Sequence, residues 1–169
     1  MILRRPINRT RLYYLAQYVI VRFCMSLTSA KRGSDPADSS AIDEIRKKEY
    51  RILVIDDDDD FRKSFCFKLK RKFRAKVEDV NSGKAGIDKL RKLNDYDFIF
   101  TDIMMPEMTG IDTHHELRKI DANIPIVIMS AYSDSEEWKK AQELEDVSLL
   151  HKPIPDEALI KVFMRHADK

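Results

Sequence analysis

Beyond Tyr50 the chain is organised as five short apolar runs, each of strand length and each followed by a longer amphipathic stretch. The runs are residues 52–55, 75–80, 98–101, 124–129 and 147–150; the stretches with helical periodicity are residues 60–72, 82–93, 110–119, 133–144 and 156–166. A strand followed by a helix, five times over, predicts a parallel sheet with helices on its faces. Parallel strands need crossovers, and these are right-handed, so the chain is expected to wind doubly around one sheet. Three of the runs are almost wholly apolar, as strands buried on both faces must be. In such a sheet the ligand site lies beyond the carboxyl ends of the strands, which makes the residues following each run the first candidates for function.

Those residues are chemically consistent. Asp56 to Asp60 follow the first run, Asp102 the third, Ser130 the fourth, and His151, Lys152 and Pro153 the fifth. Carboxylates such as Asp56, Asp57 and Asp102 held about 5 Å apart repel by roughly 3 kcal/mol per pair at an effective dielectric near 20, so they call for a cation. An all-oxygen donor set suits Mg²⁺, which favours sites shared with a phosphoryl group. Lys152 adds a positive charge and Ser130 a hydroxyl donor, which together describe a pocket for a transferable phosphoryl group. Asp102 is the natural nucleophile, because aspartate forms an acyl phosphate.

Several other classes are excluded. Neither a G-x-x-x-x-G-K-[ST] nor a G-x-G-x-x-G pattern occurs among the four glycines, so no glycine cradle for a nucleotide is present. The two cysteines, Cys24 and Cys66, provide no disulfide framework, and a reducing, cytoplasmic setting is expected. The aspartate run is not an EF-hand, because Phe61 and Phe67 stand where Gly and Glu are required. Asp58, Asp59 and Asp60 read as a solvated loop, with Asp60 able to cap the first helix.

Net charge separates the ends of the chain. Residues 1–34 carry seven cations and no acid, and the total of +2 leaves net −5 for the other 135 residues. The basic segment includes Leu12, Leu15, Ala16, Val19, Ile20 and Phe23 at helical spacing, a stripe suited to contact with an anionic membrane. It is too short for a span, it resembles a secretory leader in layout, and the plain alternative is a non-essential extension upstream of Met25. Residues 31–40 read as a flexible linker, with Ser40 and Asp43 suited to cap a short helix through Lys48. The expected division is a basic extension at 1–34, a linker with a short helix at 35–50, and a folded domain at 51–169.

The segments Arg51 to Asp57, Phe98 to Pro106 with Gly110, Ile126 to Ala131 and His151 to Ile154 resemble the receiver domain of two-component response regulators, of the single-domain chemotaxis type. The likeness covers residues 51–167. It implies a flavodoxin-like five-stranded fold in which Asp102 accepts a phosphoryl group from the phosphohistidine of a histidine kinase or phosphotransfer protein. It implies Mg²⁺ held directly by Asp57 and Asp102, through water by Asp56, and by the backbone carbonyl of Met104. Lys152 and Ser130 would contact the phosphoryl oxygens, Ser130 moving inward on phosphorylation. The position of the aromatic that normally moves with it, three residues before the lysine, is Leu149 here, while Tyr132 and Trp138 offer other aromatic surface. With the chain ending soon after the fifth helix, no DNA-binding output domain is expected. An unknown protein target would then read the fourth helix, fifth strand and fifth helix.

Two other functions remain open on the sequence. An aspartate-dependent Mg²⁺ phosphohydrolase would use Asp56 as nucleophile and Asp58 as acid/base, although Asp60 stands where Thr or Val is required and residues 102–110 would go unexplained. A receiver kept only as a binding module would be consistent with Leu149. The plain readings of the remaining residues are structural: the Met104, Met105 and Met108 side chains as core fillers, and His114, His115, His151 and His166 as surface residues.

Overall fold

A computed structural model of the chain describes residues 36–166. The chain divides into two units, Met1–Pro36 and Ala37–Lys169, and the second holds the sheet. The basic segment, its apolar stripe and Cys24 lie outside the described residues.

The element order is α1 (Pro36–Lys47), β1 (Tyr50–Ile55), α2 (Asp59–Lys72), β2 (Ala75–Val80), α3 (Gly83–Lys92), β3 (Phe98–Asp102), α4 (Gly110–Ile120), β4 (Ile126–Ser130), α5 (Glu136–Gln142), β5 (Val147–His151) and α6 (Asp156–Arg165). The strands form one parallel sheet in the order β2-β1-β3-β4-β5. This is the doubly wound sheet expected from the apolar runs and the flavodoxin-like fold that the resemblance implies. Successive side chains alternate between faces, so Ile52 and Val54 pack with Phe65, Leu69 and Phe163 from α2 and α6, while Leu53 and Ile55 pack with Leu90, Leu117 and Trp138 from α3, α4 and α5. The central strands β3 and β4 are buried throughout, and β1 everywhere except at Arg51. The edge strands β2 and β5 are only partly covered, which explains why their sequences are mixed.

Local capping sets most helix starts. The Asp58 side chain accepts the N–H groups of Asp60 and Phe61, so Asp58 is the N-cap of α2 and Asp60 lies inside its first turn. The expected cap at Asp60 is therefore two residues late. Ser82, Thr109 and Ser135 cap α3, α4 and α5, with a reciprocal capping box between Thr109 and Asp112. Because Ser135 starts α5, that helix is shorter than residues 133–144. β4 starts at Ile126, after Pro125, which has no N–H to give a ladder.

The linker reading of residues 36–40 is corrected. These residues are helical, and α1 starts at Pro36, whose fixed φ and missing N–H suit a first helical position. From its last turns α1 inserts Ile45 into the layer containing Tyr50, Phe98 and Phe163. No helix among the described residues is long and apolar enough to cross a membrane.

Candidate functional site

Strand order reverses at β1, whose neighbours are β2 on one side and β3 on the other. The crevice at such a reversal is where a doubly wound sheet binds ligands. Asp56 leaves the end of β1, its N–H still donating to the Val80 carbonyl of β2 at 3.1 Å. Asp102 is the last residue of β3, and Lys152 directly follows β5.

The three side chains meet. Lys152 Nζ lies 2.6 Å from Asp56 Oδ2 and 2.5 Å from Asp102 Oδ1, and all three residues are buried. Each acid has a second, backbone partner: Asp58 N–H donates to Asp56 Oδ1 at 3.0 Å, and Met104 N–H to Asp102 Oδ2 at 2.8 Å. The ammonium also lies 3.9 Å from the centre of the Phe61 ring, over which a cation is attracted by the negative face of the π system. Lys152 is held by the strand ladder as well, its N–H donating to the Ser130 carbonyl at 2.7 Å.

Electrostatics in this pocket are unbalanced. Burial pushes Asp56 up to about 6; Lys152 opposes that shift and the neighbouring Asp102 charge reinforces it. Burial likewise raises Asp102 against the opposing pull of Lys152 and Met104 N–H, and Asp57 raises it further. Burial alone would lower Lys152, but the Asp102 and Asp56 carboxylates outweigh it and hold the lysine above its ordinary value. One ammonium among three aspartates leaves surplus negative charge.

That surplus is the observation that fits a cation. Among the described residues no three His, Cys, Asp or Glu side chains form a metal cluster, and Asp56 and Asp102 are turned onto Lys152. Asp57 is exposed beside them, and the remaining expected donor, at Met104, is a backbone carbonyl in the loop whose N–H already contacts Asp102. The donors are thus oxygens only, as Mg²⁺ requires.

Gly110 makes this loop possible. A Cβ there would stand 2.3 Å from the Asp102 carbonyl oxygen and 2.8 Å from Ile103 Cα, so the start of α4 reaches the strand end only without a side chain.

Ser130 is fully buried at the end of β4, but its hydroxyl donates to the Tyr132 carbonyl at 2.9 Å and accepts from Tyr132 N–H at 3.0 Å. The hydroxyl therefore belongs to the β4–α5 loop and not to the lysine triad. Leu149 is half-buried opposite Ile128 in the register and packs with the α3–α5 layer. Trp138 is buried edge-on to His151, with ring centres 6.3 Å apart, whereas Tyr132 is 54% exposed.

Sequence reasoning missed Phe61 and Arg62, both in the first turn of α2. Arg62 is buried and donates from Nη1 to the Asp56 carbonyl at 2.7 Å, from Nε to Asp79 Oδ2 at 2.9 Å, and from Nη2 to Asp59. Its position on the buried stripe with Phe65 and Leu69 was the available signal. The surface reading of His114 is also corrected: it is 3% exposed, and its Nε2 lies 3.1 Å from both carboxylate oxygens of Asp146, which Arg118 also contacts. His115 is exposed as expected, while His151 and His166 are half-buried.

Comparison with known proteins agrees with this geometry. The family model for the response regulator receiver domain matches residues 52–164. The chain is 31% identical over 111 residues to the transcriptional regulatory protein CpxR homolog of Haemophilus influenzae, a match covering 65% of this chain and 47% of that protein. It is 34% identical over 125 residues to the 3',5'-cyclic-nucleotide phosphodiesterase regA of Dictyostelium discoideum, covering 70% of this chain and 15% of that protein. The chain thus spans about half or less of the length of these curated relatives. Among solved structures, the receiver domain of the Francisella response regulator 1452 aligns with TM-score 0.59 and 33% identity, over 70% of this chain and 98% of that one. The receiver domain of the histidine kinase CKI1 from Arabidopsis thaliana, complexed with Mg²⁺ and BeF₃⁻, aligns with TM-score 0.60 and 26% identity, over 77% of this chain and 96% of that one. With a family model spanning the sheet and both faces of helices, and with strand-end acids meeting a buried lysine at the topological switch, the chain belongs to the response regulator receiver domain family.

Proposed function

We propose that the protein accepts a phosphoryl group on Asp102 from the phosphohistidine of a histidine kinase or phosphotransfer protein. The observation that carries this reading is the buried triad in which Lys152 bridges Asp56 and Asp102 at adjacent strand ends. An Asp102 carboxylate oxygen forms the new bond to phosphorus; the histidine N–P bond breaks, and its electron pair leaves on the imidazole nitrogen. Lys152 passes from the carboxylate to the arriving phosphoryl oxygens, so charge is neutralised where it develops. Mg²⁺, when bound, shields the phosphoryl charge, and Asp57, Asp102 and the Met104 carbonyl would hold it, with Asp56 acting through water.

Signalling follows from Ser130. Its hydroxyl now closes a local turn with Tyr132, and a phosphoryl group on Asp102 offers it a charged acceptor in exchange. Movement of the β4–α5 loop would carry the change to the face formed by α5, β5 and α6, where a protein target reads it. A cytoplasmic setting suits a cysteine, Cys66, that is free and buried.

The hydrolase reading loses support because the Asp58 carboxylate caps α2 and is spent on two backbone N–H groups. The binding-module reading keeps one specific observation, the Leu149 side chain packed where an aromatic was expected. Intact-mass measurement after incubation with Mg²⁺ and a small acyl phosphate separates the three. One added phosphoryl group, absent from Asp102→Asn, supports the acceptor. Phosphate release that survives Asp102→Asn but not Asp56→Asn supports the hydrolase, and an unlabelled wild type the binding module.

A further inference from the structure

We infer that Arg62 is a positioning residue for the cation-binding acids, its guanidinium holding the Asp56–Asp57 peptide in the orientation that Mg²⁺ needs. The inference rests on the site reading above and concerns a residue that touches neither metal nor phosphoryl group.

Arg62 lies in the first turn of α2, and its side chain is 9% exposed. Burying a guanidinium is costly unless its donors are matched, and here three different nitrogens are used. Nη1 donates to the Asp56 carbonyl at 2.7 Å, Nε donates to Asp79 Oδ2 at 2.9 Å, and Nη2 donates to Asp59. The first of these bonds carries the inference. The Asp56 carbonyl belongs to the same planar peptide unit as Asp57 N–H, so fixing that oxygen fixes the plane from which the Asp57 side chain departs. The second bond supplies the anchor, because Asp79 sits on β2 and is paired in register with Val54 of β1. The fork therefore ties the acidic turn to the edge of the sheet, while Asp58 N–H orients the Asp56 carboxylate from the other side at 3.0 Å.

A planar fork and a point charge make different predictions here. If Arg62 acted only through its charge, removing a cation beside the acids would strengthen Mg²⁺ binding. If it positions the turn, removal weakens binding, and lysine fails to restore it because one ammonium cannot reproduce the three-way geometry. The sign of the change distinguishes the two.

The test is calorimetric titration of the full chain with MgCl₂, alongside thermal unfolding and acyl-phosphate labelling. Arg62→Met and Arg62→Lys are each expected to weaken Mg²⁺ binding by about tenfold, within the range for groups that orient metal ligands. Asp79→Asn, at a side chain 42% exposed, removes one anchor and gives a smaller loss in the same direction. Combining it with Arg62→Lys adds nothing further, because both act through one fork. If Arg62→Met does not fold, Arg62→Lys and Asp79→Asn carry the test. Unchanged or tighter Mg²⁺ binding in the folded variants overturns the inference, as does a lowered melting temperature without a change in affinity, or a wild type that binds no Mg²⁺. A wild type that binds Mg²⁺ with the expected ranking of variants but takes no phosphoryl label overturns only the phospho-acceptor reading and leaves Arg62 in its assigned role.

Discussion

Lys152 Nζ lies 2.5 Å from Asp102 Oδ1, so the proposed nucleophile and the proposed phosphoryl-binding cation are already in contact. The contact keeps Asp102 oriented, and it keeps a buried acid partly neutralised until a phosphoryl group takes over the ammonium. Removing the lysine strands Asp56 and Asp102 together. Lys152→Met is expected to lower unfolding stability at pH 7 by about 3 kcal/mol, as for other broken buried ion pairs. The loss should shrink at pH 5, where the carboxyls take up protons. Denaturant unfolding at the two pH values checks this, and labelling by acyl phosphate should slow by roughly 10²-fold.

Asp56 gives the opposite sign. Its carboxyl is raised to about 6 in the folded protein from an ordinary value of 3.8, so between these values the folded state binds more protons than the unfolded state. The stability associated with Asp56 is therefore complete below about pH 3.8 and is lost as pH rises through about 6. Asp56→Asn removes that loss. In Mg²⁺-free buffer the variant should be more stable than wild type at pH 7 by about 1–3 kcal/mol, with the gain fading as pH falls towards 4. A pH series of urea midpoints reads this directly.

His114 titrates in the reverse sense. Burial lowers it below the ordinary histidine value, while Asp146 opposes that shift. A histidine lowered in the folded state contributes stability that is present above its unfolded value, near pH 6.5, and lost as pH falls through the folded value. His114→Gln should flatten the acid limb of the stability profile below pH 6.5. The same pH series, run on this variant, checks it.

Gly110 predicts a steric effect on the site. In Gly110→Ala the new methyl must displace the Asp102 carbonyl and the Ile103 backbone. The expected outcome is destabilisation by about 1–3 kcal/mol and slower labelling at Asp102, even though no charged or polar group is changed. Thermal unfolding and labelling rate measured on the same sample test both consequences.

The sheet was legible in the sequence because parallel strands buried on two faces must be apolar along their whole length, as Leu53 to Ile55, Phe98 to Phe100 and Ile126 to Met129 are. The strand-end candidates followed from topology, which places Asp56, Asp102 and Lys152 together although 96 residues separate the first from the last. The hidden features depend on contacts that local patterns do not encode. Arg62 is hidden from local pattern because charged residues are rarely buried, and its Asp79 partner sits 17 residues away on an edge strand. His114 shares a helical stripe with Gly110, Thr113 and Leu117, but Asp146 lies 32 residues further along. The start of α1 at Pro36 was obscured by Pro, Ser and Asp residues, which suit helix starts as well as linkers.

Phosphoryl acceptance at Asp102 is tested most simply by locating the phosphoryl group. After labelling with a small acyl phosphate and Mg²⁺, borohydride reduces an aspartyl phosphate to homoserine, and peptide mass analysis identifies the residue converted. Homoserine is expected at position 102 and at no other aspartate. Conversion at Asp56 or Asp57, or none in a folded, Mg²⁺-bound protein, would contradict the assignment of Asp102 as the acceptor.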